Sequence, residues 1–337
     1  MSKAPLRLVF MGCPQFAVPC LERMHQDSDF SVVAVYCMPD RPKGRGKKPS
    51  PTPVKLFANE HGLPVFSPAT FRQAPEEVEQ LRGFAPDFLV VVAYGLILPQ
   101  SVLDIPAIAP VNLHASILPE YRGPSPIHHA LLDGREITGN TVMLMSKGMD
   151  EGDILAIETT PVAAHEDFAS VHDRLSAMGA ELLVKTLKEY AAGRINPRPQ
   201  QHTAATYTAK ITPQTARINW HNPANIIINQ IRAMSPSPGA WFEDAGERIK
   251  VFRAVPAEAV SASPGTVIEQ QPGTGIKIAC GEGSSLLLLE LQRAGKSRLS
   301  CREFLCGCGL KSSRLDSDNQ KDADNQAACA QTGGVTK

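Results

Sequence analysis

Short apolar segments alternate with helical patterns through the first 190 residues, and this alternation constrains the fold more than any other feature. Apolar, partly β-branched runs of strand length recur at 6–11, 30–37, 61–66, 87–93, 108–113 and 139–145. Patterns with helical periodicity lie between most of them. Such an order predicts a Rossmann-like α/β domain whose mainly parallel sheet is covered by helices on both faces. Ligands of such domains bind beyond the carboxyl ends of the strands.

Two polar residues interrupt the fifth apolar run. Asn112 and His114 are two positions apart, so in a strand their side chains point to the same face. Asn offers a neutral hydrogen-bond donor, and His moves protons near neutral pH. Together they suit a reaction in which a carbonyl gains an oxyanion while an amine loses a proton.

An acidic, glycine-bounded loop follows the next strand. Gly148 and Gly152 predict a turn that brings Asp150 or Asp153 close to a ligand or to His114. A carboxylate beside an imidazole raises its basicity and fixes its orientation. Each residue also has a purely structural interpretation, because buried His, Asn before a turn and Asp between glycines often satisfy only the local backbone. Spacing alone leaves both interpretations open.

Several fixed residues now occur in order: Asn-x-His-x-Ser-x-Leu-Pro over 112–119, then Arg122-Gly123, then Met-Asp-Glu-Gly-Asp over 149–153. This pattern resembles the folate-dependent formyltransferases, which move a formyl group from 10-formyltetrahydrofolate to an amine. The resemblance implies a catalytic triad of Asn112, His114 and Asp150. It also implies a folate-contacting loop formed by Ser116, Ile117, Leu118 and Pro119.

The turn after the first strand, Gly-Cys-Pro-Gln-Phe-Ala at 12–17, is similar to the Gly-Thr-Pro-x-Phe-Ala signature of the same family. Cys13 replaces the family Thr, and the lost hydroxyl is expected to weaken a hydrogen bond in the turn. The turn lacks Gly-x-Gly-x-x-Gly, which argues against a nicotinamide cofactor.

A basic loop lies between residues 39 and 55. Its cations are Arg41, Lys43, Arg45, Lys47, Lys48 and Lys55, against the single acid Asp40. Its glycines and prolines predict an exposed, mobile arm that can neutralise phosphates, although a solvated charge run is the more typical interpretation of such a segment alone. The loop resembles the insertion of those formyltransferases that act on the initiator methionyl-tRNA.

That resemblance implies a role in translation initiation, with tRNA contacts from six residues: Arg41, Lys43, Arg45, Lys47, Lys48 and, in the second domain, Lys210. Other acceptors stay open, namely an amino sugar or glycinamide ribonucleotide. A third alternative is an RNA-binding protein with a vestigial catalytic domain, which the complete Asn, His and Asp set argues against.

The domain organisation follows from composition. We predict a catalytic domain over 1–192 and a linker over 193–206, rich in Pro, Gln, His and Thr. Short strands with glycine turns over 207–310, around a helix at 223–234, favour a smaller OB-like β-barrel domain that binds tRNA. The segment 311–337 has almost nothing apolar to bury and is predicted to be a disordered tail.

Charge and cysteine content set broad limits. Lys+Arg and Asp+Glu both number 34, which argues against coating nucleic acid by bulk charge. We expect a cytoplasmic protein with no membrane contact, because the sequence shows no long apolar stretch and no secretion signal. The eight cysteines lack the paired knuckles of a zinc site, so we expect free thiols and no metal. A monomer is expected.

Overall fold

The structure is a computed structural model that describes residues 4–43 and 48–315 of the 337-residue chain. The chain divides into two compact units. The first contains residues up to 130, 136–163 and 170–209; the second contains 131–135, 164–169 and the residues from 210 onwards. The segment 193–206, predicted as a linker, therefore belongs to the first unit, as do residues 207–209, which were predicted to open the second domain.

The first unit is built on one large sheet. Within the described residues, the strands of this unit are β1 (Leu6–Gly12), β2 (Phe30–Tyr36), β3 (Arg41–Lys43), β4 (Lys48–Ser50), β5 (Val65–Phe66), β6 (Phe88–Val92), β7 (Ala109–His114), β8 (Ile137–Leu144) and β9 (Ile154–Pro161). All of them except β3 and β4 belong to the large sheet. The helices are α1 (Val18–Gln26), α2 (Pro53–Glu60), α3 (Pro75–Gly83), α4 (Gln100–Leu103), α5 (Pro126–Leu132) and α6 (Phe168–Ala191).

The sheet order is β5-β2-β1-β6-β7-β8-β9. The first five strands in this order, β5, β2, β1, β6 and β7, are parallel, whereas β7–β8 and β8–β9 pair in the antiparallel sense. The predicted mainly parallel α/β domain is confirmed. The sequence did not predict β9, whose residues change from buried at Ile154 and Leu155 to exposed at Glu158 and Thr159. A separate hairpin, β3 with β4, carries part of the basic loop.

Burial explains why the central strands form. All five residues of β6 are buried, as are the last five of β1, because helices cover both faces of the sheet. The chain leaves β1 toward β2 on one side and later returns to β6 on the other side. The carboxyl ends of β1 and β6 therefore border the crevice at which α/β sheets bind ligands.

The second unit contains α7 (Ala224–Met234), then the strands β10 (Ala240–Asp244), β11 (Glu247–Ala257), β12 (Val267–Gln271), β13 (Gly275–Ala279), β14 (Ser285–Arg293) and β15 (Leu299–Ser300), and α8 (Cys301–Gly307). The strands form one antiparallel sheet in the order β10-β11-β14-β13-β12, with β15 beside β14. Among the described residues the two edge strands do not pair with each other, so the predicted OB-like β-barrel is not confirmed.

A short segment after α8 occupies the β12 edge. Val267 N donates to Ser313 O at 2.9 Å, and Leu315 N donates to Gly265 O at 2.8 Å. The buried Asp244 carboxylate, at the end of β10, accepts the amides of Lys311 and Ser312, each at 2.9 Å. Residues 311–315, placed in the predicted tail, are thus part of the folded unit. The rest of that prediction, 316–337, lies outside the described residues.

None of the helices in the described ranges is both long enough and apolar enough to cross a bilayer.

Candidate active site

Strand β7 presents Asn112 and His114 on one face of the sheet, as predicted from their spacing. The strand is fixed on both sides: Asn112 is paired with Val91 of β6 and His114 with Thr141 of β8. The His114 side chain is only 7% exposed, and its Nε2 lies 2.9 Å from the carbonyl oxygen of Tyr121. Since a carbonyl can only accept, Nε2 carries a proton and Nδ1 is the ring atom left for chemistry. Within the described chain, no hydrogen bond engages the Asn112 carboxamide.

Asp150 faces the other ring nitrogen. Its Oδ2 lies 3.6 Å from His114 Nδ1 and accepts the backbone N–H of Gly123 at 2.8 Å. The backbone of Asp150 is left-handed, with φ of 52°. This conformation is uncommon for a residue with a side chain and turns the carboxylate toward the imidazole. The structure thus brings the three predicted catalytic side chains to the end of β7 and its adjoining loop.

Two polar side chains hold the loops around this carboxylate. Gln200 is buried, and its Nε2 donates to the carbonyl oxygens of Asp150 at 2.9 Å and Gly152 at 2.7 Å. Its Oε1 accepts from Nε and Nη2 of Arg122 at 3.1 and 2.7 Å. Sequence reasoning missed both roles. The Arg122-Gly123 pair was visible as part of the motif, but nothing in a Pro- and Gln-rich segment marks Gln200.

The predicted folate-contacting loop is only partly accessible. Ser116 and Leu118 are buried, whereas Ile117 and Pro119 are partly exposed. Ser116 Oγ donates to Glu120 O at 2.6 Å, and Leu118 packs against Met143 and Ile154. Two of the four side chains are therefore committed to the interior, which leaves the other two to meet a ligand.

A cleft of about 390 Å³ opens at the carboxyl ends of β1 and β2. The residues that line it are Cys13, Pro14, Met38, Pro39, Arg41, Pro42, Ser50, Pro51, Thr52, Pro53 and Gly95. Gly95 follows β6, so the cleft extends to the crevice that strand order predicts between β1 and β6. The three catalytic candidates do not line it; they belong to the neighbouring strand end.

Cys13 places a thiol where the family signature has a hydroxyl, and this thiol makes two hydrogen bonds. Its Sγ donates to Tyr94 O at 3.1 Å and accepts from Met38 N at 3.2 Å. The thiol thus ties the turn after β1 to the loops after β6 and β2. Burial raises the pKa of Cys13, so the group stays protonated and able to donate.

The candidate tRNA-binding residues are spread over both units. Arg41 is exposed in the first unit and Lys210 is exposed in the second. Lys43 and Lys48 are opposite each other in the backbone register of the β3–β4 hairpin. Arg45 and Lys47 lie outside the described residues. Lys55, which the structure places in α2, forms an ion pair with Asp40 at 2.8 Å and is therefore less free to meet phosphate.

Over residues 4–43 and 48–315, no cluster of three or more His, Cys, Asp or Glu side chains is arranged to hold a metal ion. The seven cysteines in the same ranges are free thiols.

A mainly parallel α/β unit, with an amide, an imidazole and a carboxylate at the end of one strand, together with a smaller antiparallel unit, defines a two-domain transferase. The chain belongs to the formyl transferase family. The "Formyl transferase" model matches residues 6–187, and the "Formyl transferase, C-terminal domain" model matches residues 210–309.

Curated relatives match almost end to end. The methionyl-tRNA formyltransferase of Citrifermentans bemidjiense is 44% identical over 306 residues, which cover 91% of this chain and 95% of that protein. The methionyl-tRNA formyltransferase of Cereibacter sphaeroides is 46% identical over 305 residues, covering 90% and 97%.

Solved structures share the fold at lower identity. An N-formyltransferase from Helicobacter canadensis, in complex with folinic acid and dTDP-3-aminofucose, superposes with a TM-score of 0.63 at 18% identity, covering 86% of this chain and 99% of that one. HypX from Aquifex aeolicus, in complex with tetrahydrofolic acid, gives a TM-score of 0.57 at 18% identity, covering 90% and 47%.

Proposed function

We propose that this protein transfers the formyl group of 10-formyltetrahydrofolate to the α-amino group of initiator methionyl-tRNA. One observation carries the proposal: identity of 44% to a methionyl-tRNA formyltransferase extends over 91% of the chain. The convergence of Asn112, His114 and Asp150 supports it, because formyl transfer needs an oxyanion donor and a proton carrier at one carbon.

The mechanism we propose assigns one task to each side chain. The amine of the acceptor attacks the formyl carbon, and the carbonyl oxygen becomes an oxyanion that the Asn112 amide stabilises as a donor. His114 Nδ1 takes up the proton that the amine loses and passes it to the departing folate nitrogen. Asp150 Oδ2, 3.6 Å from His114 Nδ1, stabilises the imidazolium and fixes the ring plane. Ile117 and Pro119 remain the folate contacts that the accessible part of the loop offers.

Activity on three acceptors tests the proposal directly. Purified protein is incubated with 10-formyltetrahydrofolate and, separately, with methionyl-tRNA, glycinamide ribonucleotide and an amino-sugar nucleotide. We expect formylation of methionyl-tRNA alone. Transfer to either of the other amines and none to the tRNA would reassign the acceptor, and no transfer to any of them would support the RNA-binding alternative.

The assignment of Asn112 has its own test. Replacing an oxyanion donor typically lowers kcat by about 10²- to 10³-fold, so we expect a loss of that size for Asn112→Ala. Asn59→Ala is the matched control, because Asn59 is exposed on α2. Activity of Asn112→Ala close to that of the control variant would remove Asn112 from the mechanism.

The basic loop is proposed to contact tRNA phosphates. Arg41, Arg45 and Lys47, changed together to Ala, should weaken tRNA binding and flatten its dependence on salt, because fewer counterions are released on binding. Lys185→Ala, which removes an exposed cation of α6, is the control. An unchanged salt slope would mean that the loop does not touch phosphate.

We further propose that the second unit is an OB-like module that binds the tRNA. Its antiparallel sheet supports this, and so does the segment 313–315, which pairs with the β12 edge. Exposed cations are available on it: Lys210 is exposed, and Arg248 stacks its guanidinium 3.8 Å from the Trp241 ring centre. Lys210→Ala should raise the KM for tRNA and leave the KM for the folate donor unchanged.

A further inference from the structure

Gln200 uses every polar atom of its side chain inside the protein. It is 5% exposed, its amide nitrogen donates to two carbonyls of the Asp150 loop, and its amide oxygen accepts from Arg122. A buried amide with all its partners present holds its neighbours in one arrangement, since any displacement leaves a polar group unsatisfied.

The two loops that meet at Gln200 are the ones that touch the catalytic candidates. One is the Asp150 loop. The other runs from Tyr121 to Gly123 and supplies the carbonyl bonded to His114 Nε2 and the amide bonded to Asp150 Oδ2. The orientation of imidazole and carboxylate therefore depends on how these two loops are held together.

Both loops carry backbone conformations that do not persist unaided. Tyr121 has φ of 60°, Gly123 of 111° and Asp150 of 52°. Left-handed residues with side chains are maintained only where surrounding contacts over-determine them. Gln200 supplies such contacts at the carbonyl of Asp150 itself and, two residues on, at that of Gly152.

Arg122 connects the same amide to the second loop. It is 1% exposed, and its guanidinium also contacts Tyr207 Oη at 3.2 Å and His202 Nδ1 at 3.2 Å. Its main chain is bonded to Thr206 O at 2.9 Å and to Thr208 N at 2.7 Å. The segment around Gln200 thus clamps the Arg122 side chain and backbone together.

We propose that Gln200 is a positioning residue of the formyl-transfer site, which acts through the Asp150 and Tyr121–Gly123 loops to hold the carboxylate against His114. The inference rests on the proposed function for its kinetic readout. It goes beyond the Asn, His and Asp set because it assigns a task to a residue outside the motif, in the segment between the family's two matched domains.

Gln200→Glu is the decisive variant. It keeps the shape of the side chain and an acceptor for Arg122, but it replaces the donating nitrogen with an oxygen that repels the two loop carbonyls. We expect kcat to fall about tenfold or more, while the KM values for tRNA and donor stay within about twofold, because alignment and not ground-state binding is lost. Gln201→Glu adds the same charge at the exposed neighbouring position and should behave as wild type.

Hydrogen exchange provides a readout that does not depend on activity. The Gly123 amide is protected by Asp150 Oδ2, so Gln200→Glu should speed its exchange about tenfold or more while amides in the middle of α6 stay unchanged. Gln200→Asn keeps donor and acceptor on a shorter side chain and should give intermediate kcat and exchange. If Gln200→Glu does not fold, the Gln200→Asn result decides.

Each result has one meaning. A kcat within twofold of wild type, a change confined to KM, or unchanged exchange at Gly123 would overturn the positioning role. Wild-type protein that fails to formylate methionyl-tRNA, combined with faster Gly123 exchange in Gln200→Glu, would instead overturn the proposed acceptor and leave the clamp intact.

Discussion

Two glycines in the Asp150 loop differ sharply in what a methyl group would meet, although both have ordinary backbone angles. A Cβ on Gly152 would collide with the backbone carbonyl of Leu144, far inside the 3.0 Å below which such contacts are essentially never found. For a Cβ on Gly148 the three nearest atoms all belong to the carboxylate of Glu151, the far end of a flexible side chain. The first obstacle is part of β8 and cannot rotate away; the second can.

Gly152→Ala should therefore displace the loop backbone by roughly 1 Å, destabilise the protein by about 1–3 kcal/mol as overpacking does, and misplace Asp150, two residues away. A misplacement of about 1 Å lowers the rate by roughly 100-fold. Gly148→Ala should stay within about 0.5 kcal/mol of wild type, with activity nearly unchanged.

The assay is steady-state formylation of methionyl-tRNA, with the free energy of unfolding measured by denaturant titration. Gly148→Ala is the matched control, since it makes the same chemical change four residues away. Equal activity of the two variants would refute the reasoning, because it would show that the β8 carbonyl does not constrain the Asp150 loop.

Three further predictions concern stability and reactivity. Burial, and secondarily the nearby His129 and His172, lowers the pKa of His128 to about 4, so on acidification the unfolded chain takes up a proton before the folded chain does. The free energy of unfolding should be unaffected by this group above pH 6.5 and should fall by up to roughly 3 kcal/mol toward pH 4. Denaturant titrations at several pH values should show a weaker dependence of this free energy on pH for His128→Gln. Burial raises the pKa of the Cys13 thiol, so iodoacetamide followed by mass spectrometry should label the exposed Cys306 about tenfold faster or more. Asp244→Asn should lower the free energy of unfolding by about 1.5–3 kcal/mol, because the Asn side-chain nitrogen is a donor and leaves one of the two backbone amides without an acceptor.

The sequence predicted those parts of the fold that local pattern controls. Strands β1 and β6 were visible because burial on both faces requires a continuous apolar run. The placement of Asn112 and His114 on the same face of the sheet followed from strand alternation alone. Helix α2 was missed because it begins in a proline- and lysine-rich stretch, where Thr52 caps its first turn by accepting from Lys55 N at 3.2 Å.

Contacts between distant parts of the chain were beyond sequence reasoning. Gln200 lies 50 residues from Asp150 and 78 from Arg122 in the sequence. The amino-acid composition of the segment around it is typical of a linker. Similarly, residues 311–315 resemble the beginning of a tail in sequence, but in the structure the Asp244 carboxylate accepts the amides of Lys311 and Ser312. In both cases a buried polar partner helps to order the segment, and residues 311–315 also bury the Leu315 side chain.

The orientation of the acid toward the imidazole illustrates why motif and site differ. A glycine would have signalled a left-handed turn, but Tyr121 and Asp150 carry side chains and give no such signal. Their conformations follow from the hydrogen bonds that Gln200, Arg122 and Gly123 make around them. The motif therefore supplies the groups that we propose to react, whereas we propose that residues outside this set fix the distance of 3.6 Å between Asp150 and His114. Variants of those residues should change the catalytic rate without changing the chemistry.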